Sequence, residues 1–212
     1  HNAITSGRFD YSATMLDVLF MVLALIDERN PNQRTVRVYA KDIATITGRS
    51  WNKKQLREAT EAMGSRMFEI ETPETLKQLW LFSAVEYHWG TGSFSVVINE
   101  LAMPYFFELK RNFTMINLKS VLSCSSKYAK RLYSIACQWR AAGFKEFSID
   151  ELKLMLGLKD KKTGEEQFER LSDFKKKVLD IAVKQINESS DINLTYRLIK
   201  RGRSYQRIAL YI

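Results

Sequence analysis

The same order of secondary-structure patterns occurs twice along this chain, and the repetition limits the folds open to it. In the first half, helical spacing, alternation and turn residues predict a helix, a strand, two helices and a hairpin, at 12–28, 35–39, 40–48, 52–63, and 79–89 with 93–98. The second half repeats that order at 126–141, 144–147, 149–157, 173–187, and 192–199 with 205–212. Two tandem copies explain 212 residues better than one large domain.

The register of the two copies is fixed by a pair of short helices that each end in glycine. Ile43 and Ile46 precede Gly48 as Leu152 and Met155 precede Gly157, an offset of 157 − 48 = 109 residues. Each copy reads as a helix-turn-helix followed by a β-hairpin, which is the layout of a winged-helix domain. We therefore predict an α+β chain of two such domains, 1–112 and 113–212, that join near 110–112 after a helix at 101–109.

The helix at 173–187 is amphipathic and strongly basic. At about 100° per residue, one side of this helix carries Phe174, Val178, Ile181 and Ala182, and the other carries Lys176, Lys177, Asp180 and Lys184. Ser172 or Asp173 could cap its start, and Asp180 could pair with Lys176 or Lys184.

The cations of that helix suit a polyanionic partner better than the helix itself. Lys175, Lys176 and Lys177 lie in the first turn, where positive charge opposes the helix dipole. Opposite phosphate or a guanine edge the same lysines would be favourable, and the angles favour Lys176 and Lys177 over Lys175.

The two halves of the chain differ in charge. Residues 1–110 have a net charge of 12 − 13 = −1, and residues 111–212 have a net charge of 21 − 11 = +10. The basic half is therefore expected to contact nucleic acid.

The following hairpin also has a cationic tip. Lys200, Arg201 and Arg203 surround Gly202, which permits the turn. In the second strand Ile208, Leu210 and Ile212 alternate with Arg207, Ala209 and Tyr211, as in a strand with one covered face. A helix for the groove and a basic hairpin for phosphate form a coherent DNA-binding pair.

Further candidate contacts come from two other segments. At the start of the helix at 126–141, Ser126 could cap, and backbone phosphate could be reached by Lys127, Tyr128, Lys130 and Arg131, although packing is the simpler role for Tyr128. In the first copy, the equivalent surface consists of Arg49, Ser50, Asn52, Lys53, Lys54 and Arg57, and Trp51 is as well explained by packing.

Catalytic and membrane functions find little support in the sequence. The chain has two histidines, no G-x-x-x-x-G-K-[ST] loop and no metal-ligand spacing, so we expect no enzyme activity, cofactor or metal. Cys124 and Cys137 are expected to be reduced and buried, as in a cytoplasmic protein. The apolar run at 15–27 is too short to span a bilayer. Because the chain begins at His1, we expect native residues to precede it.

Four segments resemble the iteron-binding replication initiators of bacterial plasmids. They are NAITSGRFDYSATMLDVLFMVLAL, NLKSVLSCSSKYAKRLYSIACQW, IDELKLMLGL and DFKKKVLDIAVKQINESSDINLTYRLIKRGR, and Cys124 and Ser125 replace the Leu and Lys expected before SKY. The resemblance implies that the second domain binds one part of an origin repeat and the first domain the adjacent part. It also implies dimers through the first domain that repress the initiator's own promoter, and recruitment of the host initiator and helicase without nucleotide hydrolysis.

Two other functions remain open at the sequence level. One is a winged-helix transcriptional repressor without initiator activity, and the other is a basic protein-interaction module whose first domain docks a partner.

Overall fold

A computed structural model describes residues 11–27, 29–30, 32–71, 74–107, 116–160 and 163–212, without the side chains of 68–71. The chain divides into two compact units, built essentially from Tyr11–Thr114 and Met115–Ile212 and called here the N-terminal and C-terminal domains. Each domain has its own buried apolar core.

The N-terminal domain packs helices against a three-stranded sheet. The helices are α1 (Ala13–Leu25), α2 (Ala40–Thr47) and α3 (Lys53–Gly64), and β1 (Thr35–Tyr39) precedes α2. The antiparallel sheet has the order β1-β5-β4, where β4 (Phe82–His88) and β5 (Ser93–Ile98) form the hairpin called here the N-terminal wing. A second hairpin, β2 (Met67–Glu71) and β3 (Leu76–Trp80), lies between α3 and this wing in the chain.

Local sequence explains where these helices begin and end. The Ser12 hydroxyl accepts from the Met15 amide at the start of α1, and Asn52 and Gln55 form a reciprocal capping box at the start of α3. Gly48 ends α2 with φ of 67°, a left-handed conformation that glycine adopts without a steric penalty. The tight connection between α2 and α3 is therefore encoded locally.

After an additional short helix, the C-terminal domain repeats the order helix, strand, helix, helix and wing, and its described residues hold no counterpart of the β2–β3 hairpin. α4 (Leu118–Ser123) and α5 (Lys127–Gln138) are followed by β6 (Phe144–Ser148) and α6 (Ile149–Met155). The basic helix, α7, is continuous through three segments: α-helical Leu171–Phe174, π-helical Lys175–Leu179 and α-helical Asp180–Ser189. β7 (Thr195–Arg201) and β8 (Ser204–Tyr211) form the C-terminal wing, and the sheet order is β6-β8-β7.

The internal repeat predicted from sequence is present in the structure. β1 and β6 begin 144 − 35 = 109 residues apart, and α2 and α6 begin 149 − 40 = 109 residues apart. Gly157 has φ of 72°, matching Gly48. The predicted class of two tandem winged-helix domains is therefore confirmed in both topology and register.

Several local predictions were wrong. The strand predicted at 79–89 is divided between β3 and β4, because β3 pairs back with β2. Neither Ser172 nor Asp173 caps α7, whose N-cap residue is Arg170 and has no side-chain cap. In β8 the central Ala209 is 1% exposed, so both faces of this strand are covered there. Residues 103–107 are helical, whereas the predicted join at 110–112 lies outside the described residues.

No helix in the described segments is long and apolar enough to cross a membrane.

Candidate nucleic-acid interface

The three consecutive lysines of α7 occupy the π-helical segment of this helix. The wider turn is closed by a bond from the Asp180 amide to the Lys175 carbonyl, an i to i+5 pattern. Lys175, Lys176 and Lys177 are all exposed. In the described part of the chain Lys176 has no ion-pair partner, whereas Lys177 Nζ lies 3.1 Å from Asp173 Oδ1. Lys176 is thus the lysine of this turn most available to an external anion.

The π-helical turn also changes which residues face the core. Phe174, Val178 and Ala182 are buried as predicted, but Ile181 is 44% exposed and Leu179 is buried instead. An i to i+5 turn brings Leu179 onto the face of Phe174, which regular helical spacing would not do. The prediction for Ile181 was therefore wrong.

Asp180 connects this helix to the C-terminal wing. Its Oδ1 accepts a hydrogen bond from Tyr196 Oη at 2.6 Å, and its Oδ2 lies 3.0 Å from Lys175 Nζ. Desolvation opposes ionisation, but the bonds from Tyr196 and Lys175 outweigh it and hold the pKa of Asp180 below its usual value. The wide turn aligns residue 180 with residue 175, so Lys175 makes the direct ion pair, and the predicted partner Lys176 contributes to the lowered pKa of Asp180 only through its charge. The predicted pairing with Lys184 was wrong, because Lys184 Nζ lies 3.9 Å from Glu188 Oε1.

Two polar side chains on the following turns fix the orientation of α7. Gln185 Oε1 accepts from the backbone amides of Ser125 and Ser126 at the start of α5. Asn187 exchanges two hydrogen bonds with the backbone of Leu194, just before β7. Helix and wing are therefore held in one geometry before any ligand binds.

The tip of the C-terminal wing is exposed and cationic. Lys200, Arg201 and Arg203 are all exposed, and Gly202 has φ of 65° in the turn. Lys200 and Arg201 are the last residues of β7 and not turn residues. Lys200 Nζ lies 5.1 Å from the centroid of the exposed Tyr205 ring. The structure therefore leaves these cations accessible, next to an aromatic ring that the sequence prediction did not include.

The start of α5 contributes fewer accessible cations than the sequence suggested. Ser126 caps the helix as expected, and Lys127 lies over the half-buried Tyr128 ring at 5.0 Å. Tyr128 packs edge-on against Phe168, which supports its packing role.

Two basic residues of α5 have internal roles instead of the predicted phosphate contacts. Lys130 is fully buried, and its ammonium donates to the carbonyls of Val121 and Leu122 at the end of α4. Arg131 is 8% exposed and donates to the Met155 carbonyl at the end of α6. The prediction for Lys130 was wrong, and the same burial removes Arg131 from the accessible surface.

The predicted residues of the N-terminal domain lie around the start of α3. Lys53, Lys54 and Arg57 are exposed, and Lys54 Nζ lies 3.9 Å from Glu58. Asn52 is exposed, and its side-chain oxygen accepts from the Gln55 amide. Arg49 is only partly accessible, because its guanidinium lies 3.4 Å from the buried Asp17 carboxylate of α1. α3 therefore presents a modest cationic surface.

Trp89 at the tip of the N-terminal wing was not among the predicted site residues. Its side chain is 64% exposed and stacks against Tyr87, and Lys53 Nζ lies 5.2 Å from its ring. The Gly90-Thr91-Gly92 turn correctly predicted a hairpin, but sequence did not show that its tip meets the start of α3.

Neither cysteine is arranged for catalysis. Both cysteines are buried and neither is part of a disulfide, and burial raises the pKa of Cys137 to about 11. Within the described ranges no three metal-binding side chains converge.

The fold and the exposed cations define a two-domain winged-helix protein whose C-terminal helix and wing suit a polyanion. Models of the two domains of initiator replication proteins match nearly the whole chain: the first, WH1, at residues 1–137 and the second, WH2, at residues 148–212. The chain belongs to this initiator replication protein family.

A relative in another bacterium agrees with that assignment. The probable replication protein rep of Bifidobacterium longum (strain NCC 2705) is 26% identical over 163 residues, covering 74% of this chain and 54% of the relative. The chain thus spans about half the length of that relative.

Solved structures match in fold. The Pi initiator protein, crystallised in complex with iteron DNA, superimposes with a TM-score of 0.79 at 20% identity over 99% of this chain and 92% of that one. Domains 2 and 3 of RctB superimpose with a TM-score of 0.55 at 14% identity over 93% and 79%.

Proposed function

We propose that this protein binds repeated duplex sites in a plasmid origin and starts replication there. The observation that carries the proposal is the joining of two exposed cationic elements, α7 with Lys176 and the C-terminal wing with Lys200, through the Asp180 to Tyr196 bond. Membership of the initiator family and likeness to the fold of a protein crystallised with iteron DNA support it.

The division of labour follows from the charges of the two domains. In the C-terminal domain α7 would enter the major groove, and Lys200, Arg201 and Arg203 would contact phosphate. Further phosphate contacts would come from Lys175, Lys177 and Lys184 if phosphate replaces the carboxylates that pair with them. In the N-terminal domain Lys53, Lys54 and Arg57 would bind the adjacent part of the repeat, flanked by Asn52 and Arg49. The C-terminal domain would then supply most of the affinity and its salt dependence.

Self-association through the N-terminal domain forms the second part of the proposal. The hairpin of β2 and β3 exposes Met67, Leu76 and Trp80 by 43%, 58% and 43%. A second copy would cover these apolar side chains, and the resulting dimer would repress the initiator's own promoter. Monomers on origin repeats would recruit the host initiator and helicase, and the chain itself would carry out no catalytic step.

Selection of duplexes from a randomised pool by the purified protein tests the DNA-binding proposal. We expect enrichment of one sequence, and directly repeated copies of it near the gene for this protein. A plasmid that carries those repeats should be maintained only when the protein is supplied. Equal, weak retention of selected and scrambled duplexes would contradict the proposal, and selection without plasmid maintenance would favour a repressor.

A further inference from the structure

Trp89 is a large apolar side chain that is left in water yet held in a defined position. No other large apolar side chain in the described part of the chain is more exposed than its 64%. The indole stacks on Tyr87 at a centroid distance of 5.8 Å and an interplanar angle of 17°. From the other element, the Lys53 ammonium lies 5.2 Å from the ring centroid. This ring is therefore ordered before binding, which lowers the entropy cost of a contact.

The turn that carries Trp89 is stiffened by side-chain hydrogen bonds. The Arg37 guanidinium on β1 donates to Ser93 Oγ at 3.0 Å and to Thr91 Oγ1 at 3.1 Å. The hydroxyls of Thr91 and Ser93 are 2.6 Å apart. The tip is thus a preformed projection.

α3 and the N-terminal wing form one continuous surface. Thr60 Oγ1 and Tyr87 Oη are 2.7 Å apart, which joins α3 to β4. A cleft of about 50 Å³ lies between the start of α3 and the wing tip, and Trp51, Lys53 and Trp89 contribute to its lining. A ligand that contacts α3 would therefore meet Trp89 as well.

Comparison of the two copies of the internal repeat indicates what binds this surface. The hairpin tip of the C-terminal domain carries Lys200, Arg201 and Arg203, whereas the corresponding tip, residues 89–92, reads Trp-Gly-Thr-Gly and has no cation. Both tips belong to the hairpin that completes the sheet after the helix-turn-helix, directly in the C-terminal domain and after the β2–β3 hairpin in the N-terminal domain. The same position therefore offers phosphate-binding charge in one domain and an aromatic ring beside a single lysine in the other.

We propose that Trp89 binds the sugar edge of a duplex minor groove, next to the major groove that α3 enters. The indole packs against deoxyribose faces, which are the apolar part of the backbone, and Lys53 contacts the neighbouring phosphate. This inference rests on the proposed function and adds an apolar contact to it. The N-terminal domain then gains affinity that salt does not remove, which suits its nearly neutral charge.

Titration of the selected duplex with Trp89→Ala and Lys53→Ala at several salt concentrations tests the inference. Trp89→Ala should weaken binding about tenfold, as for other aromatic contacts to nucleic acid, and leave the slope of log K against log salt unchanged. Lys53→Ala should reduce that slope by about one, since one fewer phosphate is neutralised. Trp89→Phe should restore most of the affinity.

Trp139→Ala is the matched control. Lys145 Nζ lies 3.9 Å from the Trp139 ring, and Lys145 pairs with Leu210 at the end of the sheet away from the C-terminal wing tip. This variant should bind DNA as the wild type does, and thermal melting would verify the fold of every variant.

Hydroxyl-radical footprinting gives an independent measurement of the sugar contact. One minor-groove segment protected by the wild type should lose protection with Trp89→Ala and keep it with Trp89→Phe. Wild-type affinity and footprint for Trp89→Ala would overturn the inference, as would a reduced salt slope. If Lys176→Ala still weakens binding in that case, the proposed function survives and the Trp89 contact alone fails.

Discussion

At the residue scale, Lys130 and Lys176 show that the same side chain takes opposite roles in one domain. Lys130 is fully buried and its ammonium bonds to two helix-terminal carbonyls, so it fastens α5 to α4. Lys176 is exposed on a wide helical turn, where its charge acts on the Asp180 carboxylate. Burial, and not residue type, therefore separates the structural lysine from the one that is accessible to an external anion.

Replacing Lys176 with Ala should weaken binding to the selected duplex and make it less sensitive to salt. The loss of one phosphate contact lowers the slope of log K against log salt by about 0.9. Fluorescence anisotropy at four salt concentrations measures this slope. Lys145→Ala removes the same charge from the same domain away from the wing tip and should leave the slope unchanged; equal slopes for all three proteins would contradict the assignment of Lys176.

Replacing Lys130 with Ala should destabilise the C-terminal domain. The carbonyls of Val121 and Leu122 would lose a buried donor, at a cost of about 2 kcal/mol in the free energy of unfolding. Urea denaturation measures the change. Lys127→Ala, on the partly exposed side of the same helix, should cost less than about 0.5 kcal/mol, and a Lys130→Ala protein as stable as that control would show that the buried ammonium contributes nothing.

At the element scale, the same position stabilises the helix-turn-helix of each domain. In both domains a helix capped by a serine carries a charged residue that bonds to the end of another helix. Asp17 and Arg131 each lie five residues after the caps Ser12 and Ser126. Asp17 binds Arg49 just beyond α2, and Arg131 binds the Met155 carbonyl at the end of α6. The two domains therefore use the same helix position for this contact, although the charge at that position is negative in one domain and positive in the other.

The link between α7 and the C-terminal wing should depend on pH through Asp180. Because the folded pKa of Asp180 lies below its usual value, its stabilising contribution is present above the unfolded pKa and is lost as pH falls through the folded pKa. We therefore expect Asp180→Asn to be less stable than the wild type at pH 7 and the difference to shrink in acid. Denaturation at pH 7 and at about pH 3 measures both; a difference that is constant with pH would contradict the ionic role of Asp180.

At the scale of the whole molecule, the two domains share a topology but not a charge. Residues 116–212 carry 20 − 11 = +9, whereas residues 1–110 carry −1. The positive charge that could attract a polyanion is therefore concentrated in one half of the chain, and the other half has apolar surface, at Met67 and Trp89, available for other contacts.

A fragment of residues 116–212 should fold alone and retain most of the salt dependence of DNA binding. It includes α4 to α7, the complete sheet β6-β8-β7 and its own core. Circular dichroism should show one cooperative melt, and binding should be weaker than for the whole chain but with a similar salt slope. A shallow slope for this fragment and a steep one for residues 11–107 would reverse the proposed division of labour.

The fold could be predicted from sequence to the extent that its signals are local. Gly48 and Gly157, the capping residues Ser126 and Asn52, and the spacing of apolar residues each act within a few positions along the chain. For this reason the repeated order of elements and its offset of 109 residues were predicted correctly.

The predictions failed where contacts between distant residues decide the outcome. Regular helical spacing could not show a π-helical turn that buries Leu179 and exposes Ile181. It also could not show that β3 would pair with β2, since strand pairing is not a local property.

The sequence by itself therefore determined that this protein is a pair of winged-helix domains with its positive charge in the second, because periodicity, caps and composition are properties of the chain. Only the tertiary structure decided which basic residues remain in solvent. Lys130 and Arg131 are directed into the domain by the helices packed around them, whereas Lys176 and the tip cations are not. Accessibility depends on what packs against a side chain, and that is settled by residues far away in sequence.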